Sequence, residues 1–88
     1  MTRHLRRPLA LAALLCLSAP AHAGYNEGVA AYQRQDYGTA MVELRPIAEA
    51  GNADAQQVMG AMYANGQGVA KDMTEAARWF RRAAMLRH

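Results

Sequence analysis

Cysteine, serine and histidine are scarce in this chain of 88 residues, which carries one Cys, one Ser and three His. Most of these few sit near the start, as Cys16, Ser18, His4 and His22, so that beyond Ala23 only His88 remains. A Ser or Cys nucleophile activated by a His base needs every member of the set in one place, and residues 24–88 cannot supply it. No disulfide can form from a single thiol. Transition-metal centres draw several ligands from His and Cys, so neither a metal nor another cofactor is expected. Carboxylates remain, but a catalytic pair must be held across a cleft with separated pKa values. The 65 residues after Ala23 leave little chain to build one. An enzyme, such as a small hydrolase of cell-wall material, is the disfavoured reading, and no catalytic residue is assigned.

A surplus of charge is missing too. The net charge of +3 comes from Arg3, Arg6 and Arg7. From Gly24 onward, Arg34, Arg45, Lys71, Arg78, Arg81, Arg82 and Arg87 balance Glu27, Asp36, Glu43, Glu49, Asp54, Asp72 and Glu75. The basic isoelectric point therefore gives no reason to expect a nucleic-acid partner. A long hydrophobic run is also absent, since Leu9–Leu17 falls short of the roughly 20 apolar residues that span a bilayer. The start reads instead as a secretory signal: basic Thr2–Arg7, apolar Leu9–Leu17, Pro20, and the small-x-small triplet Ala21-His22-Ala23. A lipoprotein or twin-arginine signal is the weaker match, because Cys16 follows Leu15 and Arg6-Arg7-Pro8-Leu9 is only a faint motif. Cleavage after Ala23 is expected, giving a signal peptide over 1–23, one small domain over 24–88, a periplasmic or secreted location, and no stable membrane span.

Four helices are predicted in that domain. Met73, Ala76, Ala77, Phe80, Ala83 and Ala84 recur at helical spacing and predict a helix over 73–86 with an inner stripe of Ala76, Ala77, Phe80, Ala83 and Ala84. Asp72 can cap it, with Glu75 bonding back to the cap as in a capping box. Ala55, Val58, Met59, Met62 and Tyr63 predict a preceding helix, capped by Asn52 or Asp54 and ending near Asn65. The glycines of Asn65-Gly66-Gln67-Gly68-Val69 permit a tight reversal, which makes the two helices antiparallel neighbours. Earlier in the chain, 26–35 and 38–50 predict another such pair, with Pro46 kinking or breaking its second helix and Gly51 stopping it.

The two pairs repeat one another. A shift of 36 residues lays Asp36 on Asp72, Ala40 on Ala76, Leu44 on Phe80 and Ala48 on Ala84, and a shift of 31 lays Ala30 on Ala61 and Tyr32 on Tyr63. The fold class is thus all-α, an α-solenoid of two antiparallel helix-turn-helix units over 24–51 and 52–88. The second unit, with Gly60, Tyr63, Gly66, Gly68, Val69, Asp72, Ala76, Trp79, Ala83 and Ala84 at fixed spacing, resembles the Sel-one-like repeat, a relative of the tetratricopeptide repeat with a longer interhelical loop. The first unit is a degenerate copy, without the Gly-x-Gly-Val loop and with Glu43 where the second has Trp79. The resemblance implies a non-enzymatic adaptor or scaffold that binds proteins.

Individual residues carry competing readings. Trp79 can be a stacking platform, but its place in the repeat favours packing between helices. Tyr25, Tyr32, Tyr37 and Tyr63 can line a peptide groove, although the Tyr32/Tyr63 equivalence favours repeat packing. Met41, Met59, Met62, Met73 and Met85 offer an adaptable surface, yet most fall at core spacing. Arg78, Arg81, Arg82 and Arg87 crowd one helix, either as a site for an acidic partner or an anionic lipid surface, or as a solvated face that suits the helix C-terminus. The candidate partner contacts are Met85 and Leu86, with Arg82 and Arg87 at a polar rim. The partner is a protein of unknown identity or a second copy. Alternatively the chain is a structural subunit or capping piece that folds by self-association or with a longer repeat protein.

Overall fold

In the computed structural model the described residues are 21–87, with side chains from Gly24 onward. The expected signal peptide over 1–23 lies outside the described residues except for Ala21, His22 and Ala23, whose backbone opens the first helix. Four helices follow in order: α1 (Ala21–Gln33), α2 (Tyr37–Glu49), α3 (Ala53–Asn65) and α4 (Met73–Arg87). Each packs on the next, α1 on α2, α2 on α3 and α3 on α4, which is the all-α helical-repeat arrangement.

Local chemistry sets most boundaries. Asn52 caps α3 by accepting the Ala55 N–H at 2.9 Å, and Asp72 caps α4 by accepting the Glu75 N–H at 3.1 Å. Asp36 does the same for α2 with the Thr39 N–H at 3.4 Å. Hydrogen bonds donated by Thr39, first from its side chain and then from its backbone N–H, hold the Asp36 carboxyl below the usual carboxylate range, with the Arg34 cation adding to the effect. The α1–α2 turn is closed by Gln35 at φ 67° and by the Asp36 N–H donating to the Ala31 carbonyl at 2.8 Å.

Four expectations are corrected. First, α1 begins at Ala21 rather than Asn26 and ends at Gln33 rather than Gln35. The packing of Gly24 and Gly28 against Glu43, Leu44 and Ile47 carries it back, and the positive φ of Gln35 stops it. Second, Pro46 does not break α2, which runs through to Glu49. Pro46 is exposed and Val42, whose carbonyl its ring opposes, is 71% exposed, so the freed carbonyl lies on the wet side. Third, the capping box at α4 is half formed. The Asp72 N–H donates to the Tyr63 carbonyl at 2.9 Å, and the Glu75 carboxylate pairs with Arg78 at 3.1 Å instead. Fourth, the buried stripe of α4 is Ala76, Trp79 and Ala83, whereas Ala77 and Ala84 are exposed and Phe80 is half-buried. Periodicity marks every apolar position, but only the flank turned toward α3 is covered.

The core is continuous through both units and unusually rich in small side chains: Ala31, Ala40, Met41, Leu44, Ala48, Ala55, Met59, Met62 and Trp79. Small residues let the helix axes approach. At two places the approach admits no side chain at all, since a Cβ at Gly28 would lie 2.5 Å from Leu44 Cγ and one at Gly60 would lie 2.6 Å from the Phe80 ring. These glycines correspond at a shift of 32, one residue away from the 31 that aligns Tyr32 with Tyr63.

The same contact should nevertheless respond differently in the two units. Leu44 is fully buried and cannot move, so Gly28→Ala should destabilise by about 1–2 kcal/mol once the overpacking cost is set against the helix-propensity gain. Phe80 is half-buried and has room outward, so Gly60→Ala should be nearly neutral. Thermal melts of the two variants side by side check this, and equal losses would contradict it.

Candidate interaction surface

The last turns of α4 lie beside the start of α3, because the two helices are antiparallel. Met85 is 67% and Leu86 55% exposed. With Gly51, Gln56 and Arg82 they line an open cleft of about 270 Å³. Gln56 is 1% exposed. Its Nε2 donates to the Ala48 carbonyl at 3.0 Å, but its Oε1 has no hydrogen-bond partner among the described residues. Three of the four proposed contacts, Arg82, Met85 and Leu86, therefore come together on one feature. Arg87 stands apart from the lining and is ion-paired with Asp54.

The four arginines of α4 are all exposed, as a solvated face requires. Their partners differ. Arg78 pairs with Glu75, and the Arg82 guanidinium lies 4.6 Å from the centre of the Trp79 ring, a cation–π contact that lays its stem along the indole. Arg81 makes neither an ion pair nor a ring contact among the described residues.

The signature residues sort into core, loop and cap. Gly60, Ala76, Trp79 and Ala83 are buried. Trp79 is 5% exposed, with its Nε1 buried and without an acceptor among the described residues, so it packs rather than presents a platform. Gly66 and Gly68 take φ of 70° and 76° in the loop, Val69 packs on the core beside them, and Asp72 caps α4. Ala84 faces solvent. Tyr63 is half-buried, and its hydroxyl accepts from Arg45 at 2.5 Å.

Tyr32 and Tyr37 join the units instead of lining a groove. Their ring centres are 5.4 Å apart, the Tyr32 hydroxyl donates to Gln67 Oε1 at 3.0 Å, and Gln67 Nε2 donates to the Tyr37 hydroxyl at 3.3 Å. Of the methionines, Met41, Met59 and Met62 are core, while Met73 and Met85 are exposed. Residue reading missed Gln56, Arg45 and Gln67. The available signal for Gln56 was a polar side chain adjoining the apolar spacing Ala55, Met59, Met62, where a buried amide must find a backbone partner.

Nothing in this geometry holds a metal: among the described residues no cluster of three His, Cys, Asp or Glu side chains occurs. Nor is any helix there long and apolar enough to cross a membrane. The family model described as Sel1 repeat matches residues 53–88, which spans α3, the glycine loop and α4. Residues 53–88 form a Sel1-like repeat. No curated protein and no solved structure matches the chain. Sel1 repeats generally mediate protein–protein interaction, and the family is typically non-enzymatic.

Proposed function

We propose that this chain is an exported, non-enzymatic adaptor of the cell envelope that binds a protein partner at the C-terminal end of α4. The observation that supports this reading is the pairing of two exposed apolar side chains, Met85 and Leu86, with a buried amide oxygen on Gln56 that has no donor among the described residues. An apolar contact flanked by arginine is the usual composition of an interface centre and its rim. A cleft of about 270 Å³ is at or below the lower bound for small-molecule sites, roughly 300 Å³. It suits one inserted side chain of a protein better than a metabolite. The signal-like leader supports export, and cleavage after Ala23 would leave Gly24, which rests against Ile47 and Glu43, as the first residue.

Capture from an envelope fraction with tagged protein tests the reading, alongside light scattering on the purified chain. Met85→Glu together with Leu86→Glu is expected to remove the captured partner with helical content unchanged, because both residues are exposed. Captured protein should carry an intact mass beginning at Gly24. If the same partners are retained by the doubly substituted chain, the cleft is not the site. A wild-type dimer that the substitutions dissociate would instead make the chain a self-associating structural subunit.

A further inference from the structure

Glu43 holds a place that core packing does not explain. A shift of 36 residues lays it on Trp79, the buried indole of the second unit. Its stem crosses the gap left by Gly28, where a Cβ would lie 3.2 Å from Glu43 Cβ. Its carboxylate ends one turn earlier on α1, with Oε1 3.4 Å from where a Cβ would stand on Gly24. The Gly24 nitrogen, bonded to the same Cα, is therefore within about 6 Å of that oxygen. Glu43 is half-buried and makes no hydrogen bond or ion pair among the described residues. The two cations of this unit are engaged elsewhere, Arg34 with Asp36 at 3.6 Å and Arg45 with Glu49 at 3.7 Å. A carboxylate drawn partly out of water needs a counter-charge.

We propose that Glu43 receives the N-terminus that export processing creates, pairing with the ammonium of Gly24 and clamping the start of α1 to α2. Hydrolysis of the amide between Ala23 and Gly24 consumes one water; the new carboxylate leaves with the leader on Ala23, and the new ammonium stays on Gly24. That bond lies in the first turn of α1, so in the uncut chain the nitrogen beside Glu43 is an uncharged amide. The cut turns it into the missing cation. A positive amine at the start of a helix opposes the helix dipole, and a carboxylate beside it offsets that cost. A Glu where the second unit has Trp79 thus suits a chain end that exists only after processing. The competing carboxylate is Glu27, exposed in the first turn of the processed helix. On α2, against which α1 packs, Glu49 is taken by Arg45, and Asp36 lies at the opposite end of α1. The inference rests on the reading that the leader is removed after Ala23, but not on the cleft at Met85 and Leu86.

Chemical synthesis of residues 24–88 supplies the processed chain, isotope-labelled at Gly24 alone, and no core residue is missing from it. Titration of the Gly24 Cα signal by NMR reads the amine directly. A free α-amino group titrates at about 7.7–8.0, and in the folded wild type its pKa should lie above that in Glu43→Gln by about half a pH unit or more. Glu27→Gln should move it less. At neutral pH the wild type should melt about 2–4 °C above Glu43→Gln, as for a partly exposed ion pair in a domain of this size. Acetylation of the Gly24 amine should abolish that difference, because the pair is then already broken. The difference should be full below the unfolded amine's pKa and lost as pH rises through the raised folded value. An amine indifferent to Glu43→Gln overturns the inference, and so does one that responds to Glu27→Gln alone. A melting difference that survives acetylation also overturns it, since Glu43 would then act through packing. Exported protein whose intact mass begins at another residue refutes the cleavage reading and this pair together, whereas a mass beginning at Gly24 with an indifferent amine refutes the pair alone.

Discussion

Replacing Trp79 by alanine is expected to lower stability by about 3–5 kcal/mol, the range for deleting a buried aromatic side chain, and to leave most molecules unfolded at room temperature. Trp79 belongs to the single core that runs through both units and is the largest side chain in it, so its loss opens space that small neighbours such as Ala55, Ala76 and Ala83 cannot fill. A domain of this size has only a small surplus of stability from which to absorb such a loss. Trp79→Phe should cost much less. The indole Nε1 is buried without an acceptor among the described residues, so removing it forfeits no hydrogen bond there and relieves an unpaired donor. Arg82 can also remain stacked on the smaller ring. Far-UV circular dichroism and thermal melting of the two variants separate packing from hydrogen bonding. An alanine variant that melts like the wild type would mean that Trp79 is not a core residue, and would return it to the candidate contacts.

The features legible in the residues were those with local causes. Asn52 and Asp72 declare themselves as caps because the bond each makes reaches only three residues along the chain. Gly66 and Gly68 mark the reversal because side chains disfavour the conformation they adopt. Contacts between units were not legible. Tyr32 and Gln67 are separated by 35 residues, and nothing in the spacing of either tells which polar atom the tyrosine hydroxyl reaches. The exposure of Ala77 and Ala84 was hidden for a different reason. Apolar periodicity shows which faces of a helix are apolar and is silent on how many of them have a neighbour. A stripe through Ala84 fits the spacing, yet the helix carries two apolar flanks, one packed on α3 and one facing solvent. At the candidate surface, Met85 and Leu86 stood out as apolar residues off the inner stripe. Gln56 did not, since its place beneath them depends on how α3 and α4 pack.

Gly68→Ala should destabilise by about 2–4 kcal/mol, and the neighbouring Gly66→Ala by only about 1 kcal/mol, although both glycines have positive φ. The conformational penalty is common to the two, as φ is 70° at Gly66 and 76° at Gly68. Their surroundings differ. A Cβ at Gly66 would lie 3.3 Å from Lys71 Cβ, and Lys71 is exposed and can shift by a few tenths of an ångström. A Cβ at Gly68 would lie 2.7 Å from the Tyr37 carbonyl oxygen and 3.0 Å from its carbon, which belong to the backbone at the start of α2. That carbonyl cannot retreat without moving the first turn of α2, so the loop must lift away. Lifting it pulls Gln67 from Tyr32 and Tyr37, the hydrogen bonds that tie the α1–α2 turn to the loop between α3 and α4. The loss should therefore reach beyond the substituted residue. In a domain of this size each kcal/mol lowers the melting temperature by roughly 4–8 °C, so the two variants should melt well apart. Hydrogen exchange should show faster exchange around Gln67 and Tyr37 in Gly68→Ala and little change there in Gly66→Ala. Equal melting of the two would show that the backbone contact with Tyr37 contributes nothing, and that the two units are joined by the α2–α3 interface alone.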